Sequence, residues 1–459
     1  MRIEKDSLGT IELADDIYYG IQTARAVGNF PISGTKLHPI MVTAYLWIKI
    51  AAAKTNGELG VIDGRIARAV VQAGEEALSG KFDKYFVVDA FQAGAGTSFN
   101  MNANEVLANR ACELLGGKKG DSKLVSPNDH VNRGQSTNDT FPAAMRVAIL
   151  KLSEKLLPSL QLLTDELKRK GEEFKSVAKS GRTHMQDAVP ITLGREFNAY
   201  CGYLEKARER LDQALSNLQY SNLGGTAVGT GVNAHPEYSK LVVKKLSALS
   251  GVTLKNPKDL VEIMQNMGDF AQFSAALRSL AIDLTKMAND LRLLSSGPGT
   301  GFNEIVLPAV QPGSSIMPGK VNPVMAEMLN MVAYQVIGND TAVMMGAQAG
   351  QLELNVMMPL LARNILESME ILANSMRVFA VKCIAGIAAN RERCRELGLK
   401  SLSLATPLAT RIGYLEAAEV VKAALKENKT IPEKVREMSL LNDAEIQEIL
   451  NLEKMADMH

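Results

Sequence analysis

The sequence predicts a mainly α-helical protein with a central bundle of long helices. Aromatic residues make up only 5% of the 459 residues, whereas methionine occurs 21 times. This balance is typical of a core filled by long, unbranched side chains on packed helices. Apolar residues recur at helical spacing over several stretches that exceed the usual length of roughly 8 to 20 residues, and no strand-like alternation is sustained. Such long helices bury their apolar faces mainly against one another, which predicts a bundle and an interface between subunits.

The N-terminal part is expected to be irregular at first and helical afterwards. Glycines and prolines interrupt any long periodicity in the first 40 residues. Apolar residues at helical spacing then predict one helix over residues 41–57 and a second over residues 65–78, separated by an Asp-Gly pair.

Longer helices are expected in the middle of the chain. A periodic stretch opens at Phe141 and runs to about residue 180, with Asn138 or Asp139 as its expected cap. Pro158 lies within this stretch and predicts a kink or a break into two helices. Further long periodic segments cover residues 192–218, 269–295 and 323–390. Short helices are predicted from residue 391 onward, so we expect three domains over residues 1–138, 139–390 and 391–459.

The charge balance and the cysteines limit the possible partners and the compartment. Lys and Arg number 51 and Asp and Glu number 50, a formal net charge of +1. Neither nucleic acid nor a membrane surface is an expected partner, because both attract proteins with a clear positive excess. The four cysteines are scattered and too few to cross-link a chain of this length, so we expect reduced, structural thiols. The sequence contains no secretory leader and no apolar run of membrane-spanning length, which predicts a cytoplasmic location.

The densest group of chemically useful side chains lies in the loop QPGSSIMPGKVNP, residues 311–323. Its prolines restrict the backbone, and its glycines allow a close approach to a ligand. Ser314, Ser315, Lys320 and Asn322 supply two hydroxyls, a cation and an amide, a set that suits an anionic substrate. Loops of this composition also occur as plain surface connectors, so the other polar segments decide between the two interpretations.

Three further segments favour a functional site. SGRTHMQDAVP, residues 180–190, predicts a break between two helices that presents Thr183 and His184. An interhelical histidine is more often structural, but here it would also serve as an ion partner or a proton-transfer group near neutral pH. GAGTSFNMNAN, residues 94–104, and GQSTND, residues 134–139, contain more Ser, Thr and Asn than helix capping requires.

No cofactor motif accompanies these segments. The Gly-rich stretch over residues 224–233 lacks the GxGxxG spacing of a dinucleotide turn and the GK[ST] of a P-loop. HExxH, zinc-finger and DxDxDG patterns are also missing, so we expect neither a cofactor nor a protein-bound metal.

Taken together, the polar segments resemble the aspartase/fumarase superfamily over nearly the whole chain. GSSIMPGKVNP, residues 313–323, is similar to the superfamily's signature loop, and GRTHMQDAVP and NMNANEVLANRA also match. GAGTS, GQSTND and AGQLELNVM look like the aspartate ammonia-lyases, whereas fumarases more often carry GSGTQ-like and SQSSND-like patterns. SGPGTGFNEI, residues 296–305, departs from the family pattern, which more often has an Arg after the proline, and this leaves the choice of substrate open.

The resemblance implies a three-domain fold and a homotetramer in which each active site draws on segments from three subunits. It places the catalytic base at Ser314 and a second catalytic group at His184. Substrate-binding roles fall by position on Thr97, Ser136, Thr137, Asn138, Thr183, Ser315, Lys320 and Asn322. The implied substrate is a small dicarboxylate.

The reaction implied by the resemblance is the reversible deamination of L-aspartate to fumarate and ammonia. The Cβ proton is weakly acidic until the neighbouring carboxylate accepts charge as an enediolate dianion, so preorganised donors must stabilise that charge. The expected donors are Thr97, Ser136, Thr137 and Ser315 at this carboxylate, Lys320 and Asn322 at the α-carboxylate, and Asn138 and His184 at the amino group. The alternative is a fumarate hydratase that forms L-malate with the same groups.

A serine base imposes a further requirement on the loop. Ser314 becomes basic only if its alkoxide is stabilised, so we expect backbone N–H groups of the loop and the charge of Lys320 beside it. The loop must also close over the substrate to exclude water. A non-catalytic scaffold protein would have no use for this set of side chains.

Overall fold

The computed structural model describes residues 1–456, which are mainly α-helical as predicted. These residues form 17 α-helices and three two-stranded antiparallel sheets. None of the helices among them is long and apolar enough to cross a membrane. All four cysteines are buried and free, which confirms that they form no disulfide.

The expectation of an irregular N-terminal segment is wrong, because the chain begins with a hairpin and a helix. Strand β1 (Arg2–Asp6) pairs with β2 (Gly9–Leu13), and α1 (Ile21–Asn29) follows. The Arg2 guanidinium secures the hairpin by donating to three backbone carbonyl oxygens between residues 14 and 19. Strands of five residues are too short for their alternation to be distinguished in the sequence.

The two predicted helices of the N-terminal part are confirmed. They are α2 (Pro39–Glu58) and α3 (Gly64–Leu78). The Asp63 side chain caps α3 by accepting a hydrogen bond from the Arg65 N–H at 2.7 Å.

Helices α4 (Thr97–Leu114) and α5 (Thr137–Glu173) begin in the two polar segments. The residue before α5 is Ser136, whereas Asn138 or Asp139 was the expected cap. Ser136 Oγ accepts a hydrogen bond from the Asn138 N–H at 3.2 Å. Asp139 Oδ1 accepts from the Ser136 N–H at 3.0 Å, so the two side chains cap the helix reciprocally. Of the kink or break expected at Pro158, the break is wrong, because α5 continues across it for 37 residues in all. The kink stays a prediction. An interior proline typically costs a helix about 3 kcal/mol, and the tertiary packing of so long a helix offsets that cost.

A second hairpin follows α5, where the sequence predicted only a break between helices. Its strands are β3 (Ala178–Thr183) and β4 (Gln186–Thr192), and α6 (Leu193–Asn217) comes next. The remaining elements up to the C-terminal part are α7 (Tyr238–Ser250), α8 (Leu260–Gln265), α9 (Gly268–Leu294), β5 (Ile305–Val306), α10 (Val324–Gln348), α11 (Met358–Lys382) and β6 (Ala388–Ala389).

The long segment predicted over residues 323–390 is two helices, α10 and α11. The Asn355 side chain donates to the carbonyl oxygens of Gly346 and Ala347 at 2.9 and 3.0 Å. It thereby satisfies carbonyl groups that the last turn of α10 leaves unpaired.

Short helices complete the described chain, as predicted. They are α12 (Arg391–Lys400), α13 (Ala405–Ile412), α14 (Tyr414–Glu427), α15 (Ile431–Glu437), α16 (Asp443–Ile449) and α17 (Leu452–Ala456). Helices α13 to α17 share an apolar core that includes Leu404, Leu408 and Val420.

The chain divides into two compact units. The first unit comprises Met1–Leu157, Glu209–Ser279 and Tyr334–Leu372. The second unit comprises Pro158–Arg208, Leu280–Ala333 and Ala373–His459. The division into three consecutive domains stays a prediction.

Candidate active site

Four of the predicted site residues lie in the first unit, where α4 and α5 begin. Helix α4 starts at Thr97 after a tight turn in which Ala95 and Gly96 have positive φ angles of 59° and 80°. Gly96 lies directly against the ring of Phe141, because a Cβ on this glycine would be 2.0 Å from a ring carbon. Only glycine fits here, and the contact places the first turn of α4 beside the first turns of α5.

Ser136, Thr137 and Asn138 form the start of α5. The buried Thr137 Oγ1 accepts a hydrogen bond from the Asn100 Nδ2 of α4 at 3.0 Å. Asn138 Nδ2 donates to the Ala227 carbonyl oxygen at 2.8 Å. The first unit therefore brings its four predicted residues to two neighbouring helix N-termini, where unpaired N–H groups and the helix dipoles favour an anion.

A buried lysine that the sequence reasoning missed lies behind this group. Lys49 of α2 has no exposed surface, and its Nζ donates to Asn100 Oδ1 at 2.8 Å, Asn132 Oδ1 at 3.0 Å and Gln135 Oε1 at 2.8 Å. Burial lowers the pKa of Lys49 to about 7. One signal was available in the sequence, because Lys49 is the only charged residue in the run IMVTAYLWIKIAAA.

Asp139 connects the start of α5 to the Gly-rich stretch over residues 224–233. Its fully buried carboxylate accepts from the N–H groups of Ser136 at 3.0 Å and of Gly224 and Thr226, both at 3.1 Å. Burial raises the pKa of Asp139 to about 7, and these hydrogen bonds oppose the rise. The Gly-rich stretch thus supports the Ser136–Thr137–Asn138 turn.

Thr183 and His184 lie at the exposed tip of the hairpin β3–β4 in the second unit. Thr183 pairs with Gln186, and His184 and Met185 between them have positive φ angles of 52° and 61°. This is the geometry of a two-residue type I′ turn. The prediction of an interhelical histidine is therefore wrong, because His184 lies in the turn of a β-hairpin.

A buried ionic cluster, also missed, anchors the base of this hairpin. The fully buried Glu304 accepts hydrogen bonds from Arg182 Nη1 and Nη2 at 3.0 and 2.9 Å and pairs with Lys179 Nζ at 3.2 Å. Arg182 also stacks on Phe302, with its guanidinium carbon 4.2 Å from the ring centroid. Glu304 and Phe302 belong to residues 296–305, so the segment that departs from the superfamily pattern holds the hairpin.

The loop over residues 311–323 has no regular secondary structure and folds back on itself. Asn322 Nδ2 donates to the Gly313 carbonyl oxygen at 2.5 Å, and a Cβ on Gly313 would lie 2.1 Å from the Lys320 carbonyl oxygen. Glycine at residue 313 is therefore required for this conformation. Ser315 and Lys320 are exposed.

Ser314 has one of the two features that a serine base requires. Its Oγ accepts from the backbone N–H groups of Ile316 at 3.2 Å and Met317 at 3.0 Å, as predicted. Within the described chain no hydrogen bond joins it to Lys320, so the contribution of that charge stays a prediction. The described residues also contain no cluster of His, Cys, Asp or Glu suited to a metal ion.

Comparison with known proteins gives the same family along the whole chain. A family described as lyase matches residues 9–338, and one described as fumarase C C-terminus matches residues 404–457. Aspartate ammonia-lyases from Bacillus subtilis and Pseudomonas aeruginosa are 48% and 50% identical, covering 98% and 99% of this chain and 95% and 96% of their own. A class II fumarate hydratase from Corynebacterium efficiens is 46% identical, covering 97% of this chain and 93% of its own.

Two crystal structures have nearly the same fold. A fumarate lyase:delta crystallin from Brucella melitensis matches with a TM-score of 0.96 and 48% identity, over 99% of both chains. A class II fumarase from Schistosoma mansoni matches with a TM-score of 0.96 and 41% identity, over 100% of this chain and 99% of its own. The chain therefore belongs to the aspartase/fumarase superfamily of lyases, as its sequence motifs indicate.

Proposed function

We propose that this lyase catalyses the reversible deamination of L-aspartate to fumarate and ammonia. The observation that carries the proposal is the environment of Ser314, whose Oγ accepts hydrogen bonds from two backbone N–H groups. These groups belong to a loop that folds back on itself because residue 313 is glycine. Two such donors lower the energy of an alkoxide, which is the form of serine that removes a proton. The identity of 48% and 50% to two aspartate ammonia-lyases over almost the whole chain supports the choice of substrate.

The start of α4 and α5 is suited to the charge that develops in this reaction. Removal of the Cβ proton places a second negative charge on the adjacent carboxylate of aspartate. Ser136 and Thr137, together with Ser315 from the loop, would donate hydrogen bonds to it. Thr97 would do so after turning its hydroxyl away from the Gly94 carbonyl oxygen, to which it donates at 3.2 Å. The helix N-termini add backbone N–H groups at fixed positions, which need no reorganisation when the charge appears.

The remaining residues are assigned by their chemistry. Lys320 and Asn322 would hold the α-carboxylate with a point charge and an amide donor. Asn138 and His184 would contact the amino group, which leaves as ammonia. Thr183, next to His184, would position the substrate from the same hairpin tip.

A homotetramer would bring the residues of the two units together around one substrate. The exposed face of α10 supports an oligomer, since Met331, Tyr334 and Met345 are 65%, 55% and 53% exposed. Their spacing places them along one side of the helix, and apolar surface of this kind usually marks an interface. The cytoplasmic location stays a prediction.

A two-way substrate assay tests the proposed reaction. The protein is incubated with fumarate plus ammonia and with fumarate alone, and the absorbance of the fumarate double bond is followed. Loss of absorbance only with ammonia is the expected result. Loss with fumarate alone would identify the second candidate, a fumarate hydratase, which the 46% identity to the Corynebacterium efficiens enzyme keeps open.

A further inference from the structure

A chain of hydrogen bonds runs from the buried Lys49 to the hydroxyl group of Thr137. Lys49 Nζ donates to Asn100 Oδ1 at 2.8 Å, and Asn100 Nδ2 donates to Thr137 Oγ1 at 3.0 Å. Lys49 is 0%, Asn100 2% and Thr137 8% exposed, so little water competes for these bonds. All three residues belong to the first unit.

The ammonium group determines which way the Asn100 amide faces. Three side-chain oxygens surround Lys49 Nζ, which matches the three N–H donors of its ammonium form, the form present below its pKa of about 7. An ammonium group has no acceptor, so an amide must turn its oxygen toward it. The Asn100 oxygen therefore faces Lys49, and its NH2 group donates to Thr137 Oγ1 and, at 3.2 Å, to Asn132 Oδ1. The side-chain oxygens Asn132 Oδ1 and Gln135 Oε1 accept hydrogen bonds from the other two N–H groups, which fixes the ammonium group in place.

The Asn100 amide in turn determines the direction of the Thr137 hydroxyl hydrogen. Because Thr137 Oγ1 accepts from Asn100, its own hydrogen must go to a different acceptor. Among the residues that the structure describes, none accepts a hydrogen bond from Thr137 Oγ1. The hydroxyl is thus preorganised as a donor at the start of α5.

We propose that Lys49 is a positioning residue which, through Asn100, directs the hydroxyl hydrogen of Thr137 to a substrate carboxylate. This inference rests on the proposed function, since it takes Thr137 to be a carboxylate donor. Without the lysine, the Asn100 amide is free to turn its oxygen to Thr137 and capture the hydrogen. The substrate would then lose a donor although no residue that touches it has changed.

Asn100→Asp tests this chain in a variant that keeps a partner for Lys49. The new carboxylate still accepts from the ammonium group and neutralises its charge, so we expect the fold to be retained. It cannot donate to Thr137, however, and accepts the hydroxyl hydrogen instead. We expect kcat/KM to fall about 10²-fold, the typical effect of losing one such donor, and to fall by a similar factor in Thr137→Val.

Three further measurements separate positioning from a general loss of structure. The double variant Asn100→Asp/Thr137→Val should be no slower than either single variant, because both changes remove the same donor. Gln135→Glu makes the same chemical change at another acceptor of Lys49 that does not contact Thr137, and it should keep kcat/KM close to wild type. Lys49→Met should lower kcat/KM in the wild-type background and have little effect in the Thr137→Val background.

The outcomes distinguish this inference from the proposed function. A wild-type protein that converts no aspartate refutes the proposed substrate, and the variants are then compared on fumarate and water. Wild-type kcat/KM in Asn100→Asp, with a loss in Thr137→Val, would overturn the positioning role. Equal losses in Asn100→Asp and Gln135→Glu would overturn it too, because they would show an effect of charge alone. Melting temperatures of all variants identify any that fail to fold.

Discussion

Ser314 is a weak base on its own, and its neighbours in the loop decide whether it acts. The N–H groups of Ile316 and Met317 already point at its Oγ. We therefore predict that Ser314→Ala reduces turnover to below a few per cent of wild type. The oligomeric state and the melting temperature should not change, because the side chain belongs to a loop outside the apolar core. Fumarate absorbance measures the first quantity, and size-exclusion chromatography and thermal denaturation measure the others.

The exposed Ser79, which donates only to the Glu76 carbonyl oxygen, provides the control. Ser79→Ala should keep the wild-type rate. Turnover above a few per cent in Ser314→Ala would assign the base to another group.

The Glu304 carboxylate pairs with the charged groups of Lys179 and Arg182, so its loss should lower the stability of the protein. Glu304→Gln keeps the shape but removes the carboxylate from Arg182 and leaves Lys179 with the Glu196 carboxylate and the Ser180 carbonyl oxygen. Removing one partner of a buried ion pair typically costs about 3 to 5 kcal/mol of unfolding free energy. Urea denaturation at a fixed protein concentration measures the loss.

A surface ion pair serves as the comparison for Glu304. Glu396 contacts Arg393 and Lys400, and the Glu396 side chain is 45% exposed. Glu396→Gln should lower the unfolding free energy far less than Glu304→Gln does, because solvent screens an exposed ion pair. Similar losses in the two variants would mean that the buried cluster does not stabilise the fold.

The sequence reveals some of the functional residues and conceals others, for physical reasons. Ser314 and Lys320 occur in a loop whose composition suits an anionic substrate, and the other polar segments favour a functional site over a surface connector. Lys49 and Asn100 depend on partners more than 30 positions away in the chain. Burial and amide orientation arise only when the helices pack, so sequence spacing does not reveal these two roles.

The turn of the hairpin β3–β4 carries strain that a substitution can relieve. Met185 has a φ angle of 61°, which is unfavourable for a residue with a side chain, and type I′ turns prefer glycine at this second position. Met185 is also 55% exposed, so its replacement loses little packing. The left-handed conformation costs a residue with a side chain roughly 1 to 2 kcal/mol, and the greater entropy loss of glycine offsets roughly 0.5 to 1 kcal/mol of this. We therefore predict that Met185→Gly raises the unfolding free energy by about 0.5 to 1 kcal/mol. Thermal and urea denaturation measure the change.

A glycine at the next residue should change the unfolding free energy in the opposite direction. Gln186 is in β4, paired with Thr183, and glycine weakens a strand. Gln186→Gly is thus expected to lower the unfolding free energy. A decrease for Met185→Gly as well would show that the left-handed turn is not strained.

Elements differ in how far their sequences specify them. The apolar periodicity of α2 and α3 predicts both helices to within a few residues. The hairpin β3–β4 escapes prediction because its strands have six and seven residues and its turn lacks the usual Asn-Gly pair. Helix α5 begins before the expected residue because Ser136 and Asp139 cap it from its own polar segment.

At the scale of the whole molecule, the proposed residues are shared between the two units. Asn138 belongs to the first unit, and Ser314 and Lys320 belong to the second. The resemblance to the superfamily implies that each active site takes such groups from different subunits. The exposed apolar side chains of α10 provide surface for that assembly.

Two inactive variants should therefore restore activity to each other when they form mixed tetramers. Ser314→Ala and Asn138→Ala, expressed together, would give about a quarter of the sites an intact serine and an intact asparagine if subunits mix at random. We expect activity near a quarter of wild type, far above that of either variant alone. Ser314→Ala with Lys320→Met is the control, because both changes lie in one loop and every site would carry one of them. Failure to recover activity in tetramers that native mass spectrometry identifies as mixed would place Asn138 and Ser314 of each site in the same subunit.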